Sequence, residues 1–255
     1  MNPPLDDWRG RHVWIIGASS GIGAATARLL LERGAHVALS ARRRDALEQV
    51  AAGAPLALLA PLDVTDHASV RGARELLLTA WPRLDLVLLV AGGYNEMRAD
   101  SFDLAAANAL IDLNLRGVYN CLDLVLPLLL RQGGGGLGIV ASVAGYGGLP
   151  KALVYGPTKA ALINLSESLY FDLRPKGIAV YQINPGFVDT PLTAANDFAM
   201  PALMQPDAAA RALLRGIERG QFHIHFPRRF SNSLRLARLL PYRLYFWLLR
   251  KVTRL

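Results

Sequence analysis

The sequence predicts an α/β fold, a Rossmann-type doubly wound parallel sheet of about seven strands flanked by helices. Three observations lead there. Short, continuously apolar runs alternate with stretches of helical spacing, as expected when both faces of a parallel sheet are covered. The first apolar run passes through a glycine turn, Gly17-Ala-Ser-Ser-Gly21-Ile-Gly23, into a helical stretch. Residues able to do chemistry gather just beyond the apolar runs, where sheets of this class bind ligands.

Taken in order, His12–Gly17 reads as a buried first strand and Ala24–Arg33 as the helix after it, with Ile22, Ala25, Leu29 and Leu30 at helical spacing. Strand, glycine turn and helix form a phosphate-binding context, because backbone N–H groups and the helix N-terminus face the anion. Gly17, Ser19, Ser20, Gly21, Ile22 and Gly23 are therefore candidate dinucleotide contacts. Gly34–Ala41 gives a second strand. An acid near its end would favour NAD, whereas this chain has Ala41 followed by Arg42, Arg43 and Arg44. Arg42 would pair with a 2′-phosphate, so NADP(H) is the expected cofactor; a solvated basic turn is the plainer alternative.

A third strand is expected over 55–62, ending at Asp63-Val64, whose carboxylate could bond an adenine amino group. A helix spans 66–80 with Asp66 near its start, and the apolar run 84–90 is a fourth strand closing in Ala91-Gly92-Gly93. Two helical stretches follow, over about 100–112 and 114–131, the second carrying Asn114. Gly133 to Gly136 break that helix before a fifth strand, 137–142, which ends at Ser142. The remaining pattern predicts a helix from Tyr155 to about Arg174, a strand over 178–183 closed by Asn184-Pro185-Gly186, a helix near 206–218 and a last strand at 222–226.

Tyr155 and Lys159 stand four residues apart at the head of that 155–174 helix, so phenol and ammonium point into one space. A free tyrosine titrates near ~10, and a neighbouring cation lowers that value towards useful acid–base chemistry. The pair alone also fits a solvated helix face. Similarly, Ser142 and Asn114 alone would be read as caps.

Together these residues resemble the short-chain dehydrogenase/reductase family over roughly residues 10–226. The matching motifs are Gly17-x-x-x-Gly21-x-Gly23, Asp63-Val64, Ala91-Gly92, Asn114, Ser142, Tyr155-x-x-x-Lys159 and Pro185-Gly186 with Thr190. The resemblance implies an NAD(P)-dependent carbonyl/alcohol oxidoreductase. In it Tyr155 is the general acid, Ser142 bonds the carbonyl oxygen, Lys159 holds the nicotinamide ribose and lowers the Tyr155 pKa, and Asn114 positions a relay water. It further assigns cofactor contacts to Val64, Ala91, Gly92, Pro185, Gly186 and Val188, with Thr190 on the carboxamide. A homodimer or homotetramer built on the 114–131 and 154–174 helices is implied in the same way. Two departures stand out: Leu89-Val90 where the family usually has Asn-Asn, and Pro157, which a helix's first turn tolerates.

Composition bounds the rest. The 255 residues suffice for one large α/β domain, and 52% hydrophobic with 19% charged residues describes a globular chain. Cys121 is the single cysteine, so no internal disulfide forms; it reads as a core residue, and a reducing cytoplasm is expected. The N-terminal residues lack a signal-peptide pattern. From Phe222 onward eight basic residues and no acid occur, which accounts for the whole net charge of +8. The expected organisation is a catalytic unit over 1–226 and a basic amphipathic helical tail over 227–255, divided by Pro241. Within it Arg243, Arg250, Lys251 and Arg254 share one arc, opposite Tyr245, Leu248, Leu249, Val252 and Leu255.

That pattern suits an anionic membrane surface, at the inner face of which the protein would sit peripherally; the alternatives are an oligomer contact or a helix closing over the substrate site. Nucleic-acid binding is not expected, and His223 with His225 is read as edge-strand packing rather than a metal clip. The reading that results is an NADP(H)-dependent reductase of a carbonyl, lipophilic if the tail meets a membrane. Its competitors are a reductase of acyl groups on an acidic carrier protein and a non-catalytic NADP-binding scaffold or sensor. The loop after Thr190, through Met200 and Met204, is expected to line the substrate pocket.

Overall fold

A computed structural model of the chain describes residues 1–194 and 200–253. Its centre is a seven-stranded sheet, all parallel, in the order β3-β2-β1-β4-β5-β6-β7. The strands are β1 His12–Ile16, β2 His36–Ser40, β3 Ala57–Leu59, β4 Leu86–Leu89, β5 Gly135–Val140, β6 Ile178–Pro185 and β7 His223–Phe226. The order reverses direction between β1 and β4, so a crevice opens beyond their carboxyl ends.

Alternation along each strand explains the unbroken apolar runs. Val13 and Ile15 point to one face, with Leu86 and Leu88, under helices α1 (Gly21–Glu32), α2 (Arg44–Ala51) and α7 (Pro206–Glu218). Trp14 and Ile16 point to the other, with Val87 and Leu89. There they meet α3 (His67–Ala80), α5 (Gly117–Gln132) and α6 (Tyr155–Leu173). Every residue from Leu86 to Leu89 is buried, because helices cover both sides. Leu89 thus occupies the core beneath α5, and the backbone N–H of Val90 donates to the Ile16 carbonyl at 2.8 Å. The strand end that lacks the family's paired asparagines is braced by apolar packing and by backbone bonds.

Several boundaries differ from expectation. The two helical stretches after β4 are one rod, Leu104–Gln132, formed by α4 (Leu104–Ile111), a π-turn at Asp112–Arg116 and α5. This rod is long and apolar enough to cross a membrane, but Val118, Cys121, Val125 and Leu129 bury one side of it against the sheet. Only the short helical turn Ala99–Ser101 precedes it. The strand β5 starts at Gly135, inside the glycine run, because Gly133 in a left-handed conformation already ends α5. Ser142 consequently lies past the strand, and β3 covers only part of the expected 55–62 span. Asp66 caps α3 as expected, accepting from the Ala68 N–H at 2.9 Å. Pro157 stands in the first turn of α6, where it displaces no intrahelical bond.

The tail forms α8 (Arg228–Ala237) and α9 (Tyr242–Thr253), with Pro241 between them as expected. Arg254 and Leu255, assigned to the tail's two arcs, lie outside the described residues, as does 195–199 of the loop after Thr190. Tyr245 and Leu249 are buried, while Phe246 and Trp247 are exposed.

Ser40 ties the first crossover together: its hydroxyl accepts from Trp14 Nε1 at 2.8 Å and donates to the Ala60 carbonyl at 2.6 Å, fully buried. Ser40→Ala leaves two buried polar groups without partners, at about 1–3 kcal/mol each. Urea unfolding of this variant is expected to show a loss of about 3 kcal/mol with an unchanged slope.

Candidate active site

The crevice is a single cavity of about 1230 Å³ beyond the carboxyl ends of the strands. The first βα turn forms its floor through close backbone contacts. Gly17 has φ +103°, and a Cβ there would lie 2.4 Å from the Ala91 nitrogen. A Cβ on Gly23 would lie 2.0 Å from the Gly17 carbonyl oxygen. Only glycine permits this turn, which brings the start of α1 against the end of β4. The Ser20 side chain makes no cap hydrogen bond, and the first turn of α1 contains no acid. The N–H groups at that helix end therefore face the cavity as an anion site, and the residues fit a dinucleotide phosphate.

Every cofactor-contact residue expected from the sequence lines this cavity: Gly17, Ser19, Ser20, Gly21, Ile22, Gly23, then Arg42, Asp63 and Val64, then Ala91, Gly92, Pro185, Gly186, Val188 and Thr190. Thr190 lies over the turn, its Cγ2 so placed that a Cβ on Gly21 would approach it to 2.7 Å. Arg44 is taken up by Glu48 at 3.0 Å, whereas Arg42 and Arg43 both line the cavity. Among the described residues no carboxylate forms an ion pair with either. Burial tends to raise the Asp63 pKa, but hydrogen bonds from Thr65 and the nearby Arg42 charge hold it below the usual value. Thr65 donates to the Asp63 carboxylate from its backbone N–H at 2.9 Å and its hydroxyl at 2.7 Å.

Ser142, Tyr155 and Lys159 meet in the same cavity. Ser142 caps the one-turn helix Val143–Gly145, its Oγ accepting from Ala144 N–H at 3.1 Å, and its carbonyl accepts from Asn184 Nδ2 at 3.0 Å. It is both a cap and a cavity residue, and it lies near enough to Tyr155 to favour the ionised phenol. Lys159 is buried, and its Nζ donates to the Val140 carbonyl at 3.0 Å and lies 5.7 Å from the centre of the Tyr155 ring. The ring of Tyr94 meets Tyr155 edge-on at 5.1 Å.

The expected lowering of the Tyr155 pKa is corrected here. Burial pushes the Tyr155 phenol above its ordinary value, Ser142 opposes the rise and Tyr94 adds to it. Lys159 is not among the groups that shift it; its ammonium is bonded to the Val140 carbonyl at 3.0 Å and lies 5.7 Å from the ring centre. Asn114 is wholly buried and does not line the cavity. Its amide accepts from Gly93 N–H at 2.7 Å and donates to Gly93 O at 2.9 Å and Thr158 Oγ1 at 3.3 Å. The π-turn at Asp112–Arg116 swings this side chain toward the β4 exit loop.

The rest of the wall comes from the loop after Thr190, as expected, and from the tail, which sequence reading offered only as one alternative. Phe187, Leu192 and Pro201 line the cavity after β6, whereas Met204 pairs with Val188 and packs against the core. The tail contributes Phe230, Leu234, Leu249, Val252 and Thr253. Tyr245 Oη donates to the Gly148 carbonyl at 2.9 Å, so α9 is fastened to the loop between Ser142 and Tyr155. The available signal was the apolar stripe of α9, which says that something is covered without saying what. His223 stacks on His225 at 4.6 Å, with Tyr146 Oη 2.8 Å from His223 Nε2 and Ser231 Oγ 2.6 Å from His225 Nδ1. The pair lies on the edge strand with Tyr146 and Ser231 as its hydrogen-bond partners. Cys121 is inert core, its thiol pushed up to about 12 by burial.

Burial lowers the Lys159 ammonium from 10.5 to about 8. The unfolded chain then binds more protons than the folded one above pH 8, so stability contributed at this site rises with pH through that window. Compared with Lys159→Met without added cofactor, the wild-type protein is expected to gain on the order of 2 kcal/mol between pH 8 and 10. Calorimetric unfolding of both proteins checks this, the difference cancelling groups they share.

A sequence profile described as short chain dehydrogenase matches residues 11–199. The chain is 36% identical over 237 residues to an uncharacterized oxidoreductase from Myxococcus xanthus, covering 91% of this chain and 93% of that one. It is 32% identical over 202 residues to an uncharacterized oxidoreductase from Staphylococcus epidermidis, covering 78% and 87%. Among solved structures, a 3-ketoacyl-(acyl-carrier-protein) reductase from Brucella melitensis complexed with NADH superposes with a TM-score of 0.78 at 25% identity, over 87% of this chain and 99% of that one. A short chain dehydrogenase/reductase family protein gives 0.74 at 27%, over 86% and 97%. With the glycine turn, the Ser142–Tyr155–Lys159 cavity and these matches together, the chain belongs to the short chain dehydrogenase family of nicotinamide-dependent oxidoreductases.

Proposed function

We propose that the protein is an NADP(H)-dependent reductase that converts a lipophilic ketone or aldehyde to an alcohol. The observation that carries this reading is the convergence of Ser142, Tyr155 and Lys159 in a cavity whose floor is a glycine turn and whose outer wall is apolar. The nicotinamide cofactor supplies a hydride when bound. Ser142 Oγ hydrogen-bonds the carbonyl oxygen, and Tyr155 gives that oxygen its proton as negative charge develops there. A phenol raised by burial stays protonated at neutral pH, the state that reduction requires. The Lys159 ammonium lies 5.7 Å from the centre of the Tyr155 ring, held there by the Val140 carbonyl. Asn114 acts as a positioning residue, holding Gly93 and Thr158.

Preference for NADP(H) is supported by Arg42 and Arg43 at the cavity edge and by the lack of any acid over residues 41–44. A lipophilic substrate is supported by Leu149, Phe187, Leu192, Phe230, Leu234 and Leu249 along the wall. The single buried thiol fits a reducing cytoplasm. A carrier-linked ketoacyl substrate is the second reading, drawn from the Brucella melitensis neighbour's described activity and from the basic tail.

Calorimetric titration is expected to give tighter binding of NADPH than of NADH, by tenfold or more. Arg42→Ala should weaken NADPH on the order of tenfold to a hundredfold and leave NADH within about twofold. Equal affinities in the wild type refute the Arg42 assignment. Tyr155→Phe should still bind the cofactor while turnover falls on the order of 10²–10⁴-fold. Retained function after that change would indicate a non-catalytic scaffold.

A homodimer through the long helices is part of the same proposal. Phe171 on α6 is 77% exposed, and Tyr119 and Leu130 on α5 are also exposed. Light scattering should find a dimer for the wild type and a monomer for Phe171→Asp.

A further inference from the structure

The tail helices have two sides, one packed on the body and one turned to solvent. Tyr245, Leu249 and Ala237 are buried against the body with Leu149. Facing away, Leu236, Leu239, Tyr242, Leu244, Phe246 and Trp247 are all more than half exposed. Arg229, Arg235, Arg243, Arg250 and Lys251 are exposed on the same two helices. Among the described residues none of these cations forms an ion pair, and no acid occurs anywhere after Glu218. The ammonium of Lys251 lies over the Trp247 ring at 5.3 Å, so cation and aromatic form one surface.

The surface also runs into the cavity. Val252 is 68% exposed and Leu192 is 39% exposed, yet both line the pocket that contains Tyr155. The rim of the cavity therefore includes α9 at Val252.

We propose that the outward face of α8 and α9 docks on an anionic phospholipid membrane, with the mouth of the active-site cavity turned to the acyl region. Arginine and lysine meet the lipid phosphates, while Phe246, Trp247 and the leucines enter the boundary beneath. An acidic carrier protein would match the charge, but the apolar depth of Leu236, Leu239, Phe246 and Trp247 beside the cations is the pattern of an interfacial helix. Neither helix can span the bilayer, being only 10 and 12 residues long. The docking surface stands apart from the reductase reading; delivery of substrate from the membrane rests on it.

Trp247 is a built-in reporter, because Trp8, Trp14 and Trp81 are buried in the core. The full chain is mixed with phosphatidylcholine vesicles with and without about one-third phosphatidylglycerol, following tryptophan emission and cosedimentation. The expected result is a blue shift and cosedimentation with the anionic vesicles only. Neutralising three cations together, R243Q/R250Q/K251Q, should lower vesicle affinity on the order of a hundredfold. F246A/W247A should also lower cosedimentation while leaving the circular dichroism spectrum unchanged. Absence of binding to anionic vesicles, or equal partition into both vesicle types, overturns the proposal. Capture of an acidic carrier protein without vesicle binding does so too. Catalysis enters none of these readouts, so a failure here leaves the reductase reading to its own test. If both hold, the triple variant should lose kcat/KM toward a vesicle-borne long-chain ketone and keep it toward a short water-soluble one.

Discussion

The contact on which the site depends is the approach of the first glycine turn to the end of β4. Gly17 and Ala91 come close enough to exclude any side chain at residue 17, and Gly23 closes on Gly17 in the same way. That contact sets the direction in which α1 leaves the sheet, and α1 in turn packs against α7. It also fixes the width of the crevice into which Ser142 and Thr190 face from the other half of the sheet. Both Gly17 N–H and Ala18 N–H donate to the Ser40 carbonyl, so β2 and the Arg42 turn are drawn to the same point. Site geometry follows from a backbone fit at the switch point, with side chains added afterwards.

Much of this was legible in the sequence, for physical reasons. A parallel strand buried on both faces has to be apolar throughout, so β1, β4 and β6 announce themselves. A turn that admits no Cβ has to be glycine, and Tyr155 with Lys159 has to share a helical face. Less legible was whatever depends on how elements meet. The Gly133–Gly136 run read as a break, although Gly135 and Gly136 belong to β5, since pairing with β6 is decided by the partner strand. The rod from 104 to 132 read as two helices because a π-turn has no sequence signature of its own.

The site residues divide along the same line. Their placement in one cavity was legible; their environment was not. Sequence spacing says that an ammonium can approach Tyr155, but it cannot say that a backbone carbonyl of β5 holds the ammonium or that burial raises the phenol. Asn114 was legible as polar and special, yet only the fold reveals that its amide bonds Gly93 and Thr158. Likewise the tail was visible as basic and amphipathic, while its inward half proved to be the wall of the cavity.

That wall has an implication for how such a chain changes over time. The profile of the family ends at residue 199, before α8 and α9 begin. Tyr155, Lys159 and the glycine turn all precede that limit, whereas Phe230, Leu234, Leu249 and Val252 follow it. Chemistry and the outer half of the pocket are therefore written in separate stretches of the gene, joined mainly by packing and by the bond from Tyr245 to Gly148. The terminal segment can drift, or be exchanged with that of a relative, and so remake the choice of molecule admitted without disturbing the catalytic groups. A protein built this way can diversify from one end.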